Sequence, residues 1–399
     1  MALRLSAYLQ RLCDSSITLI DRSDSHVLTS ELHEVVSARV ACLSVRLPLP
    51  PLLKSRGIEF VQDEPQAFDL EKKIVHLKGA DVPFDRLILA PGSVPDFRAN
   101  GEERLPGAER AYPFYHFNDA CRLRMRTQKC FSDAAKEGNA AARQDILRFV
   151  VAGGGSTGVE VAGELQYRLR WLAREAGIDK REAGLLLLEA SDHLVPEFGP
   201  ANARRVREAL EKRGVEVRLK SRVVAYDRLF ATLESGEEVL APTLIWAAGV
   251  VGSPMLAMAG LQTDSDGRAL VDASMQAQGL EHVYVVGDAA AAKDRRGRTV
   301  RPTGQAALQE ADTVAWNIAA EIGGHEKDKK ECYPHPRTFL VSCGGSEAIG
   351  RIGPLPVSGS LAWLAKEAIS ARYLASLGRL ALFRKVFRQK LDGYGHSHE

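Results

Sequence analysis

The chain has 399 residues, 45% of them hydrophobic, and its 53 basic and 51 acidic side chains leave a net charge of +2. That is enough apolar material for two or three domains of roughly 150 residues each, with a charge balance too even to imply nucleic acid or an acidic partner. Six cysteines (Cys13, Cys42, Cys121, Cys130, Cys332, Cys343) show no C-x-x-C or other ligand spacing, so neither a zinc site nor a redox dithiol is visible and no metal is assigned.

The opening stretch lacks the apolar core and cleavage pattern of a secretory signal. Nowhere do about 18 apolar residues follow one another, as a membrane span requires, and the expected compartment is the cytoplasm. "ALRLSAYLQRL" has the apolar spacing of a helix. "ITLID" then reads as a buried parallel strand closed by Asp21, the acid that usually stands about 20 residues after a glycine-rich phosphate loop. No such loop precedes it in this sequence, so residue 1 is expected to fall just inside the helix that follows the loop. Either an internal methionine opens the chain or the gene is shortened.

From Leu19 onward the sequence repeats itself. "LIDRSDSHVL" is similar to "LLEASDHLVP" with Asp21 opposite Glu189, "SRGIEF" to "KRGVEV", and "FDRLILAPGSVP" to "APTLIWAAGVVG". The same interval separates Gly57 from Gly92 and Gly214 from Gly249, which argues for two copies of one nucleotide-binding unit.

The second copy opens with the loop. In "RFVVAGGGSTGVEVAGELQYRL" an apolar strand runs into Gly153, Gly155 and Gly158 and then into a helix. Gly153 permits the tight turn, Gly155 lets backbone approach a pyrophosphate, and Gly158 lets helix and strand pack closely; the free N–H groups of the helix hold the anion. Glu189 closes the next strand, where a carboxylate accepts both ribose hydroxyls of NAD and repels the 2′-phosphate of NADP, and no arginine follows in "EASDHLVPEF". NAD(H) is therefore the expected dinucleotide. "RRVREALEKRG" reads as an exposed helix ending at Gly214, not as a nucleic-acid surface.

Further on, "LEHVYVVGDAAAAKD" is an apolar strand delivering Gly287 and Asp288. Between Leu361 and Leu391 the bases Lys366, Arg372, Arg379, Arg384, Lys385, Arg388 and Lys390 stand against one acid, Glu367, and Leu380, Phe383, Phe387 and Leu391 recur at helical spacing. A basic amphipathic helix of this kind rests on an anionic membrane, or else packs on the body or on a second subunit. The closing "GYGHSHE" is read as a disordered tail without a metal. His33 and His193 are read as structural or exposed.

Taken together, these motifs resemble the two-dinucleotide flavoprotein superfamily and, within it, type II NADH dehydrogenase, the single-subunit NADH:quinone oxidoreductase. "GGGSTGVEVAGEL" is similar to that family's NAD loop, "LPGAERAYPFYHFNDACRLR" to its crossover into the NAD domain, and "RPTGQAALQEADTVAWNI" to its A-Q-x-A-x-Q helix with Gly304 in place of the first alanine. The resemblance implies an α/β fold of two Rossmann-like domains plus a C-terminal α-rich segment: FAD domain 1–112 and 275–335, inserted NAD domain 113–274, and interface region 336–399. It implies FAD held by Asp21, Arg22, Gly92, Gly287 and Asp288, and NAD(H) by the glycine loop, Glu189 and Gly249. Gln305 and Gln309 would border the quinone, and Glu160 would lie toward the nicotinamide. It further implies a place on the cytoplasmic face of the membrane, and a homodimer is possible. A non-catalytic NAD(H)-binding or redox-sensing protein without FAD is the alternative. Sulfide:quinone oxidoreductase is the lesser one, since Cys343 has no cysteine partner near "STGVEVAGE". A disulfide reductase would need two cysteines in one helix, and Cys42 stands alone in its segment.

Overall fold

A computed structural model describes the chain at residues 1–9, 15–98, 103–335 and 337–393; Cys13 and the histidine-bearing tail lie outside these. Two compact units emerge, one from Met1–His26, Leu47–Val94 and Val250–Pro336, the other from Val27–Arg46, Pro95–Gly249 and Arg337–Glu399.

The second unit is built on a five-stranded parallel sheet ordered Tyr112–Pro113, Thr243–Trp246, Arg148–Ala152, Gly184–Leu188 and Val215–Arg218. "FVVA" and "LLLL" are buried throughout, as strands covered on both faces must be. Arg148–Ala152 is the central strand, and sheet order reverses on either side of it, which places the ligand crevice of such a sheet at its carboxyl end. The helix Ser156–Glu175 leaves from that end, and Pro200–Lys212 runs between the next two strands. As expected for "RRVREALEKRG", this second helix stops just before Gly214, whose φ of +89° continues the chain in the left-handed region.

In the first unit, Ile17–Ile20 pairs in parallel with Ile58–Val61, and Leu87–Leu89 with Val283–Val285. The helix Gly304–Ile322, capped by the Thr303 hydroxyl accepting from Ala306 N–H at 3.2 Å, packs on Ala2–Leu9. Leu5, Leu9, Leu89, Val285, Val314 and Ile318 share one buried core, each contributing about 1.5–3 kcal/mol by leaving water.

The repeat seen in the sequence is a repeat of structure. From residue 17 the order is strand, helix Leu49–Lys54, strand, a three-stranded antiparallel meander and strand Leu87–Leu89, with the paired strands Ser25–Val27 and Arg46–Pro48 and the helix Leu32–Val36 inserted ahead of Leu49–Lys54. From residue 184 it is strand, helix Pro200–Lys212, strand, a three-stranded antiparallel meander and strand Thr243–Trp246. The carboxy-terminal region of the second unit carries the helices Ser360–Ser376 and Leu380–Asp392. Ahead of them stands an antiparallel sheet of Thr338–Ser342, Ala348–Ile352 and Leu355–Gly359 that periodicity had not singled out.

Candidate functional site

At the carboxyl end of the central strand the three motif glycines meet different constraints. Gly153 has φ +108°, and a Cβ there would lie 2.4 Å from the Ala247 carbonyl oxygen, so only glycine makes this turn. At Gly158 a Cβ would sit 1.8 Å from Gly153 O, which keeps helix and strand in contact. Gly155, directly before the helix, faces open space. The open space at Gly155, with the first helical N–H groups behind it, fits a pyrophosphate.

Glu189 ends the neighbouring strand and is held rigidly. Its Oε2 accepts from Gly154 N–H at 2.5 Å, and its Oε1 from the N–H and hydroxyl of Ser191, both at 2.7 Å. Oε2 keeps a further lone pair, so the carboxylate can still accept from a ribose hydroxyl beside the loop. Gly249 lies in the loop leaving Thr243–Trp246, next to the central strand, where Ala247 N–H donates to Ala152 O at 2.8 Å. These residues form one constellation and fit a dinucleotide.

Glu160, one turn into the same helix, turns elsewhere. It accepts from Ser342 N–H at 3.1 Å and pairs with Lys366 at 2.5 Å, while His33 stands 3.7 Å away and 3.2 Å from the Lys366 ammonium. His33 is buried, and burial together with Lys366, Lys390 and Arg39 holds its pKa well below the ordinary value, so the imidazole is neutral. The sequence offered Lys366 only as one base of the carboxy-terminal segment and His33 only as a structural or exposed histidine; they come from remote segments whose encounter only the fold reveals.

Beside this triad lies a second ionic cluster. Lys390 Nζ is 2.5 Å from Glu31, 3.1 Å from Glu34 and 2.8 Å from Glu367. Arg39 pairs with Glu164 at 3.0 Å and donates to Gly345 O and Lys390 O. Burial pushes Glu34 up to about 8 despite the opposing Lys390 charge. Its carboxyl therefore holds a proton at neutral pH, and the ammonium is not outnumbered by three full charges. Glu31, Glu34 and Glu367 are the acidic group among the described residues that could hold a metal ion, but they converge on Lys390. Of the basic residues in the carboxy-terminal segment, Lys366 on the helix Ser360–Ser376 and Lys390 on Leu380–Asp392 point inward, and Val386, Gln389 and Lys390 form the buried face of the latter.

In the first unit, Asp21 and Arg22 follow the Ile17–Ile20 strand and are exposed; Asp21 Oδ1 accepts from Ser23 N–H at 2.8 Å, and Arg22 lies 3.7 Å from Glu64. Gly92 and Asp288 come together at the ends of the other parallel pair, where buried Ser93 donates to Asp288 Oδ2 at 2.9 Å. Burial raises the Asp288 pKa. Gly287, at φ +74°, donates its N–H to Glu310 Oε2 at 2.6 Å, and burial first, then the charge of Asp288, pushes Glu310 up to about 7. Ser93, Asp288 and Glu310 thus gather polar groups around a backbone turn, a setting suited to the hydroxyls and ring edges of a flavin nucleotide. Gln305 lies on the first turn of Gly304–Ile322. Gln309 is committed to backbone, accepting from His335 N–H at 3.0 Å and donating to His335 O at 3.5 Å; it fastens that segment.

Comparison with known proteins adds three findings. The family model described as pyridine nucleotide-disulphide oxidoreductase matches residues 2–311. Type II NADH:quinone oxidoreductases of Staphylococcus aureus strains MSSA476 and NCTC 8325 / PS 47 are 28% identical over 380 residues, covering 93% of this chain and 92% of theirs. Among solved structures, NDH2 from Plasmodium falciparum in complex with NADH superposes with a TM-score of 0.86 at 15% identity over 98% of this chain and 96% of that one. The sulfide:quinone oxidoreductase of Aquifex aeolicus reaches 0.75 at 21% identity, covering 95% and 90%.

Proposed function

Because the chain belongs to the pyridine nucleotide-disulphide oxidoreductase family, we propose that it is an FAD-dependent NADH:quinone oxidoreductase. The observation that carries this reading is the glycine cradle with Glu189 fixed beside it, set in one of two units that repeat the same order of elements.

When bound, FAD would supply the redox chemistry that couples NADH oxidation to quinone reduction. The residues of the chain supply position and charge. Open space at Gly155 and the N–H groups at the start of Ser156–Glu175 hold the dinucleotide pyrophosphate. Glu189 takes the adenosine ribose and rejects a 2′-phosphate. In the other unit, Asp21 binds a ribose at a strand end, and Asp288, oriented by Ser93, lies along the flavin with Gly92 and Gly287. Gln305 borders the quinone. Glu160, paired with Lys366, is a fixed charge toward the nicotinamide side.

The carboxy-terminal helices carry the membrane contact. Leu361, Leu364, Ile369, Leu380 and Leu391 are exposed, as are Arg372, Arg384, Lys385 and Arg388, an apolar surface bordered by cations. No helix among the described residues is long and apolar enough to cross a membrane. A sulfide reaction is disfavoured by Cys343, which is fully buried with its thiol pushed up to about 12.

The test is a visible spectrum of purified protein followed by steady-state NADH oxidation with a soluble quinone. A flavin band and quinone-dependent turnover are expected, and Glu189→Arg should shift preference toward NADPH by roughly tenfold or more, about 1.4 kcal/mol. A colourless protein that binds NADH without turnover would instead favour a non-catalytic dinucleotide-binding role.

A further inference from the structure

Two half-exposed cysteines from distant parts of the sequence meet in the second unit. Cys42 opens the short 3-10 helix Cys42–Val45, and Cys121 lies in the second turn of the helix Phe117–Ala134. Their side chains are within hydrogen-bonding reach of each other. Two guanidinium groups attend them. Arg124, one helical turn after Cys121, places Nη1 3.7 Å from Cys42 Sγ. Arg46 lies over the Phe117 ring at 5.3 Å, and its charge reaches Cys121. That contact clamps the segment carrying Cys42 onto the start of the helix carrying Cys121, so the encounter of the sulfurs is imposed by packing.

The remaining described cysteines lack this setting. Cys130, Cys332 and Cys343 are buried, and burial raises all three thiols, Cys332 to about 11 and Cys343 to about 12. Cys42 moves the other way, to about 6, through the hydrogen bond from Cys121 first and the Arg124 charge in addition, against the opposing effect of burial. Cys121 is raised by its bond to Cys42. One sulfur is thus a thiolate at neutral pH and its neighbour a thiol, and a reachable thiolate next to a cation and a second cysteine is the setting that favours oxidation.

We propose that Cys42 and Cys121 form a redox-active dithiol that hydroperoxides convert to an intramolecular disulfide. In the first step the Cys42 thiolate attacks one peroxide oxygen. The O–O bond breaks, an S–O bond forms, and with one proton the other oxygen leaves as water or alcohol. In the second, the Cys121 sulfur attacks Cys42, an S–S bond forms, the S–O bond breaks, and the hydroxyl leaves as water with the Cys121 proton. Two electrons pass from the two sulfurs to the peroxide. A thiol reductant reverses the change. The site adjoins the carboxy-terminal helix, since Ala41 N–H donates to Gln389 Oε1 at 3.4 Å, so the bond would stiffen the ledge on which that helix rests.

The experiment treats the full chain with stoichiometric hydrogen peroxide and maps its peptides without reductant. A linked Cys42–Cys121 peptide pair, lighter by two hydrogens and separated again by dithiothreitol, is expected. Cys121→Ser should halt the reaction at a sulfenic acid on Cys42 that dimedone traps, and Arg124→Ala should slow Cys42 oxidation about tenfold. Recovery of both cysteines as unlinked thiols would overturn the proposal. So would linkage through other cysteines or between chains, or a dimedone adduct absent from Cys42 in the Cys121→Ser protein.

Discussion

Glu310 holds a proton at pH values where a free carboxyl has lost it, because it is buried over the Gly287 turn with Asp288 beside it. Its folded pKa, about 7, lies above the ordinary 4.5. The stabilisation is therefore complete below about 4.5 and is lost as pH rises through 7, where ionisation must occur without water. Glu310→Gln keeps an oxygen for the Gly287 N–H and removes the titration. Thermal unfolding across pH 5 to 8 should show the parent losing up to about 3 kcal/mol that the variant does not lose; parallel curves would refute this. The contrast with Glu189 explains what a sequence reader can see. Glu189 stands at a fixed offset from a glycine loop at the end of an apolar run. Glu310 looks like one more polar residue on an amphipathic helix, and its meaning depends on a backbone N–H 23 residues earlier.

The carboxy-terminal helix Leu380–Asp392 shows the same divide for an element. Its period of apolar residues was legible, and Phe387 does stack on Trp363 and Phe383. Which cations turn inward was not, because Glu31, Glu34 and Glu367 approach Lys390 from segments that no local pattern connects. Removing one partner of a buried ion cluster strands the others without counter-charge. Lys390→Met should accordingly destabilise the second unit by about 3–5 kcal/mol and admit protease near Arg379 well before global melting. Unchanged cleavage and melting would mean that the ammonium contributes nothing to docking.

For the whole molecule, the duplicated order of elements was written plainly in similar letters and equal glycine spacing. The encounters of Cys42 with Cys121 and of Glu160 with Lys366 were not, since each joins stretches that only tertiary packing brings side by side. The exposed face of the last two helices gives a prediction at this scale: the protein should sediment with vesicles rich in anionic lipid, be released by high salt, and bind neutral vesicles weakly. Binding indifferent to both lipid charge and salt would sink that reading.

Both units are stitched from three separated stretches of chain, and the pairing of Leu87–Leu89 with Val283–Val285 closes a very long loop. A ribosome delivering this polypeptide from its amino terminus would release the partners of the central sheet, Arg148 through Trp246, in close succession. It would leave the edge of Leu87–Leu89 waiting until nearly three quarters of the chain had been made. During that interval an unpaired apolar strand is exposed to the cell. Birth order, as much as final stability, thus sets where this molecule is vulnerable.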